Sequence, residues 1–204
     1  MELSLYGNRL LICAKTNSGK SELLKWMLKK ELHRFNKCFV VSPTESCNQF
    51  YSDIIPSNQI FHEFSEDWLN DLIAKLKSYK QNNKKPYNTL LILDDCASDM
   101  HNSKTLNKIF VMGRHLGISI VVTLQFLHQA PLTARTNASY LLAGQMNKAS
   151  VEMLCEEYMM GPIEKKQFLE LYHDSTIDYN FFVICCNSVK NNDLDNLYGK
   201  IRKS

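Results

Sequence analysis

No stretch of the sequence approaches the roughly 18 continuous apolar residues of a membrane span, and no basic segment followed by an apolar signal region opens the chain. The expectation is a soluble, untargeted protein with no membrane partner. Cysteines in C-x-x-C spacing are also absent. The seven present, Cys13, Cys38, Cys47, Cys96, Cys155, Cys185 and Cys186, are odd in number and several lie in or beside apolar runs. That argues against a zinc site or a disulfide framework and for buried thiols in a reducing, intracellular compartment. A large charge of one sign is missing too. With a net charge of +3 the chain is no polycation, so any nucleic-acid contact must come from local clusters. There is no internal repeat, and 204 residues suit one α/β domain with a well-buried core, residues 1–204.

What is present is organised around Leu10 to Ser21. The apolar run Leu10-Leu11-Ile12-Cys13 reads as a buried strand, and an amphipathic run begins at Leu23. Between them, Ala14-Lys15-Thr16-Asn17-Ser18-Gly19-Lys20-Ser21 fits the phosphate-loop pattern G-x-x-x-x-G-K-[ST], with Ala14 in the first glycine position. In such a loop backbone N–H groups converge on phosphate oxygens, the lysine (Lys20) reaches the β/γ-phosphates, and the hydroxyl (Ser21) binds Mg²⁺. The helix that opens at Gly19 adds its N-terminal dipole. The nucleotide site is therefore assigned to residues 14–21, for ATP with Mg²⁺. The bland alternative is a Lys-Ser helix start with no ligand. Lys15 is read as solvated or as a second positive charge near the γ-phosphate.

Along the chain, Leu23, Leu24, Met27, Leu28 and Leu32 form one helical stripe, and Cys38-Phe39-Val40-Val41 is the second strand. Residues 45–64 lack a clear period and read as a long connection with a short helix and a minor strand near Ile60. Helical spacing returns after Ser65, a plausible N-cap, and fades into a surface loop at residues 81–86. Thr89 to Leu93 is a continuous apolar run, as in a strand covered on both faces. It ends in Asp94-Asp95. A carboxylate at the end of a buried strand is costly unless it is hydrogen-bonded or faces a cation. Beside a phosphate loop, Asp94 is thus the Mg²⁺-supporting aspartate and Asp95 the carboxylate that orients or deprotonates the attacking water. The alternative is a pair that only caps a turn.

A helix through Leu106, Ile109 and Phe110 to Leu116 should stop at Gly117. The buried strand from Ile118 to Thr123 follows and ends at Leu124-Gln125, which points Gln125 into the crevice of the phosphates. Two more helices, through Val151 and Leu154 and through Phe168 and Tyr172, precede a closing strand at residues 179–186. Residues 187–204 read as a polar, exposed tail. The alternation predicts an α/β fold, a mostly parallel central sheet with helices on both faces.

The combination of Ala14–Ser21, Asp94-Asp95, Gly113-Arg114-His115-Leu116-Gly117 before a strand and Thr123-Leu124-Gln125 after it resembles the FtsK/HerA division of phosphate-loop ATPases. The nearest resemblance is to the genome-packaging ATPases of double-stranded DNA viruses with double jelly-roll capsids, including poxvirus, virophage and archaeal-virus members. It covers about residues 10–144. The resemblance implies a RecA-like phosphate-loop fold, ATP hydrolysis with Mg²⁺, and a homo-oligomeric ring that moves double-stranded DNA irrespective of sequence. It further implies capsid or vertex proteins as partners, and work in the host cytoplasm or viral factory, with association with the virion. It makes Arg114 the arginine finger offered to a neighbouring subunit and Gln125 the polar sensor. On physical grounds alone Arg114 also fits a helix-terminal charge, Arg135 is a rival finger, and Lys104, Lys108 and Arg135 are candidate DNA contacts. His115 reads as structural. The sequence shows no DNA-cleaving domain. A small nucleotide or nucleoside kinase and a non-hydrolysing nucleotide-binding scaffold are the alternatives.

Overall fold

The computed structural model describes residues 3–96, 100, 102–186 and 197–201. Within them an eight-stranded sheet carries the chain. Its strands are β1 (Arg9–Cys13), β2 (Lys37–Val41), β3 (Ile60–Phe61), β4 (Thr89–Leu93), β5 (Ile118–Leu124), β6 (Tyr140–Ala143), β7 (Phe181–Cys185) and β8 (Tyr198–Ile201). They lie in the order β3-β2-β4-β5-β1-β6-β7-β8. The pairings from β3 to β6 are parallel, and β7 and β8 close the sheet antiparallel. The helices are α1 (Lys20–Glu31), α2 (Glu45–Asn48), α3 (Glu66–Asn83), α4 (Lys104–Met112), α5 (Leu132–Asn137), α6 (Lys148–Tyr158) and α7 (Lys165–Ser175). The Ser65 hydroxyl caps α3 by accepting from the Trp68 N–H, as the sequence predicts.

Unbroken apolar strands become a two-sided core because successive side chains point to opposite faces. Leu11, Cys13, Leu91, Leu93, Ile120 and Val122 pack on one face with α3, α4, α6 and α7. Their neighbours Leu10, Ile12, Leu90, Ile92 and Val121 pack on the other with α1 and the segment around Tyr51 and Ile55. Helices therefore do cover both faces. The register sets Cys13 beside Leu124 and Ala143, and Leu93 beside Val122, so β1, β4, β5 and β6 end together and open one crevice at their C-terminal edge.

Two expectations need correction. The expected helix to Leu116 gives way at Gly113 to a 3₁₀ turn, Gly113–Leu116, before it stops at Gly117. The expected polar tail is not all tail. Residues 187–196 and 202–204 lie outside the described residues, but 198–201 form β8 on the sheet edge. Tyr198 is the reason. Its ring stacks on Phe182 and meets Phe168 edge-on, and its hydroxyl donates to the Met160 carbonyl at 2.9 Å. An aromatic pinned by both ring packing and its hydroxyl holds a polar strand to the sheet. The thiols largely follow expectation. Burial pushes Cys13, Cys38 and Cys186 up to about 12, although Cys47 is exposed.

Candidate active site

The phosphate loop hangs between two strand ends. Ala14 N–H donates to the Leu124 carbonyl at 3.1 Å, and Lys15 N–H to the Gln145 carbonyl at 2.8 Å. Gly19, at φ 84°, caps α1 in the left-handed region where a side chain is penalised. No side chain caps α1, so its first N–H groups remain available to an anion. Lys20 is only 7% exposed, and its ammonium donates to the Ala14 carbonyl at 2.8 Å and the Lys15 carbonyl at 3.1 Å. The charge is thus held across the mouth of the loop by carbonyls that a phosphate can replace.

The departure at Ala14 has a local explanation. Its methyl is fully buried in the core, and a Cβ on Gly144 would come within 2.8 Å of it and 2.9 Å of the Phe181 ring. A glycine at 144, on the neighbouring strand end, leaves room for the methyl that the loop's first position adds.

Asp94 and Asp95 follow β4 into the crevice. Asp94 is 5% exposed; its N–H donates to the Val41 carbonyl, and its carboxylate accepts a short hydrogen bond from the Thr123 hydroxyl. That same hydroxyl accepts from the Asp95 N–H at 3.1 Å, so one threonine fixes both aspartates. Asp95 turns into the left-handed region at φ 53°, which Asp and Asn tolerate better than most residues, and its side chain is exposed. Beneath them lies the fully buried Tyr51, whose phenolic oxygen is directed at Asp94 without reaching full hydrogen-bond geometry. Its backbone N–H is held by the buried Glu45 carboxylate at 2.9 and 3.0 Å. Thr123 has a sequence signal, a hydroxyl near the end of an apolar strand. Tyr51 has none, since it sits in a stretch with no periodicity.

Burial is the main force on Asp94 and raises its carboxyl above the ordinary value; the Thr123 hydrogen bond, the nearby Tyr51 hydroxyl and the Lys20 charge oppose it, and the charge of Asp95 adds to it. A carboxyl raised on folding holds its proton more tightly in the folded state. Stability is therefore lost as the pH rises through the ordinary carboxylate range to the raised value, and the cost persists at neutral pH. Asp94→Asn keeps an acceptor for Thr123 and removes the charge. The nucleotide-free variant should therefore melt at a higher temperature than the parent at pH 7. The difference should shrink towards about pH 4. Thermal melts across pH check it, and a lower melting temperature at pH 7 would contradict the reading that burial outweighs the groups favouring the Asp94 carboxylate.

Lys20, Ser21, Asp94 and Asp95 line one cavity of about 580 Å³ with Thr16, Asn17 and Gly19, within the range of small-molecule sites. Lys15 and Ser18 face a neighbouring cavity instead, and Lys15 is exposed. A larger cavity, about 700 Å³, opens beyond Lys15 between α6 and α7, away from both aspartates. Gln125 follows the residue that holds Ala14 but does not line the phosphate cavity, and its N–H is taken by Gln129. Arg114 is elsewhere. It precedes β5, at the sheet edge opposite the loop, is exposed, and its side chain has no hydrogen-bond or ion-pair partner among the described residues. Arg135 is paired within the chain with Glu157 at 2.7 Å, and only 14% of its side chain is exposed. Lys104 and Lys108 are exposed one turn apart on α4.

Among the described residues no three His, Cys, Asp or Glu side chains cluster as a metal site. A hard cation shared with phosphates needs fewer protein groups, and the Ser21 hydroxyl and Asp94 carboxylate on one cavity wall are the oxygen donors Mg²⁺ takes. The residues fit. No helix among those described is long and apolar enough to cross a membrane.

Comparison with known proteins places these features in context. The family model described as Poxvirus A32 protein matches residues 2–196. The chain is 26% identical over 203 residues to the uncharacterized protein 015R of Frog virus 3, covering 88% of this chain and 63% of that protein. It is 25% identical over 151 residues to the DNA packaging protein OPG160 of Variola virus, covering 71% of this chain and 55% of that protein. The chain thus spans less than two thirds of the length of either relative. Among solved structures, the genome packaging NTPase B204 of Sulfolobus turreted icosahedral virus 2, in complex with AMPPCP, superposes with a TM-score of 0.68 at 14% identity, over 98% of this chain and 99% of that one. At that identity the likeness is one of fold.

Proposed function

The chain belongs to the poxvirus A32 protein family, and on that premise we propose that it is an ATP-hydrolysing motor subunit. It acts as a homo-oligomeric ring on double-stranded DNA and drives a viral genome into a preformed capsid. The observation that carries this reading is the convergence of Lys20, Ser21, Asp94 and Asp95 on one cavity at the C-terminal edge of a parallel sheet. The name DNA packaging protein borne by the variola relative supports the direction of the work.

In this reading the loop N–H groups and the start of α1 bind the triphosphate, and Lys20 exchanges its two carbonyl partners for β/γ-phosphate oxygens. Ser21 and Asp94 would hold Mg²⁺, which when bound neutralises charge on those oxygens. Asp95, held by Thr123 and open to solvent, orients a water for attack on the γ-phosphorus. A P–O bond to that water forms, the bond to the β–γ bridging oxygen breaks, and the water's proton passes to Asp95 or to the departing phosphate. Gln125 senses the phosphate state at the loop's edge. Arg114 reaches the site of the next subunit. Lys104 and Lys108 contact the DNA backbone without reading bases, as packaging of any sequence requires. Capsid or vertex proteins complete the machine, in the host cytoplasm or viral factory and on the assembling virion.

Lys20→Ala tests the reading. Phosphate release should fall at least about 10²–10³-fold, the usual cost of losing one preorganised charge-stabilising donor. Loss of two hydrogen bonds inside the empty loop should lower the melting temperature by a few degrees, at about 2–4 °C per kcal/mol. Release is measured with and without double-stranded DNA, and with a nucleoside monophosphate as acceptor. DNA-stimulated release supports the motor; phosphoryl transfer to the monophosphate would make it a kinase; binding without release would make it a scaffold.

A further inference from the structure

Between α7 and β7 the chain makes a 3₁₀ turn, Ile177–Tyr179, in which Asp178 (φ 55°) and Tyr179 (φ 59°) both adopt left-handed backbone. Two such residues in succession, one of them aromatic, are held only where the surroundings impose them, and such conformations gather at ligand sites. Because β7 runs antiparallel to β6, it begins at the sheet edge where the phosphate loop lies. Tyr179 is thereby placed at the loop's rim. It is 63% exposed and packs against no other ring among the described residues. It lines the phosphate cavity beside Lys20 and Asp94, and also the adjoining cavity of about 350 Å³ beside Thr16, Asn17 and Ser18.

The rim at Tyr179, shared by both cavities, gives the ribose and base of a triphosphate anchored at Lys20 a way out of the loop. The turn offers a flat face there rather than a set of directional donors. The amide of Asn180 is turned onto the Ile177 carbonyl, and the amide of Gln145 donates to the Thr176 carbonyl at 3.5 Å. We propose that Tyr179 is the stacking platform for the base of the bound nucleoside triphosphate, an inference that rests on the nucleotide site proposed above and adds its base-binding half.

The test compares ATP with inorganic tripolyphosphate, which has the phosphates and no base, by calorimetric titration of the full chain with Mg²⁺. Tyr179→Ala should weaken ATP by about 5–150-fold, the span found for losing one base–aromatic stack, and change tripolyphosphate by less than about twofold. Tyr179→Trp should recover ATP binding. Equal weakening of both ligands would mean that Tyr179 only shapes the loop. ATP binding unaltered by Tyr179→Ala, or not recovered by Tyr179→Trp, would overturn the platform while leaving the nucleotide site standing. A parent chain that binds neither ligand would overturn both.

Discussion

Asp95→Asn is expected to bind ATP·Mg²⁺ like the parent protein and to hydrolyse it about 10²–10⁴-fold more slowly, the range for losing a general base. The structure makes this a clean substitution. Asparagine tolerates the left-handed backbone that Asp95 adopts, the Asp95 N–H keeps its bond to the Thr123 hydroxyl, and the exposed side chain supports no packing that the variant would lose. Asp94, the buried member of the pair, should behave differently: as the carboxylate proposed to hold Mg²⁺, its replacement should weaken binding itself. Equilibrium binding of ATP together with single-turnover phosphate release separates the two. If Asp95→Asn loses binding and loses hydrolysis only in proportion, Asp95 is a metal ligand or structural, and the water must be oriented by another group.

The difference between these neighbouring aspartates shows what the sequence could reveal. Asp94-Asp95 after an apolar strand announces a carboxylate pair, and Lys20-Ser21 after a glycine announces the loop, because both are local patterns on the ends of strands legible as unbroken apolar runs. The parallel sheet and its two-faced core were legible for the same reason. What was hidden depends on contacts between distant segments. Tyr51 lies under Asp94 although nothing in residues 45–64 repeats. β8 exists because Tyr198 finds Phe182 and Phe168, and in sequence it looks like part of a polar tail. Arg135 reads as a free cation until Glu157, 22 residues away, closes on it. Ala14 looks like a blemish in the motif until Gly144 is seen opposite its methyl. Strength of local pattern and importance to the site are therefore separate properties here, and the residues that fix the geometry are largely the ones with no motif.

Arg114 gives the most divergent expectation, because its two readings differ so greatly in size. It stands at the start of β5 while the phosphate loop is at the strand's other end, and a strand of seven residues spans about 23 Å at about 3.3 Å per residue. No arginine side chain covers that distance, so within one chain Arg114 has no route to the γ-phosphate. Its side chain is exposed and unpartnered, and Arg9, the charge it acts on, repels it. If it is only a charge at a helix end, Arg114→Ala should cost about 0.3–1 kcal/mol of stability and leave hydrolysis alone. If it serves a neighbour's site, hydrolysis should fall about 10³–10⁵-fold with ATP binding preserved. Mixing decides the direction of service. An Arg114→Ala subunit keeps an intact phosphate loop, and a Lys20→Ala subunit keeps an intact arginine. Where the two meet in the right order, one complete site forms, so the mixture should regain ATPase activity that neither variant shows alone. A mixture as inactive as its components, with mixed assemblies demonstrated by pulldown, would show that Arg114 does not act across the interface.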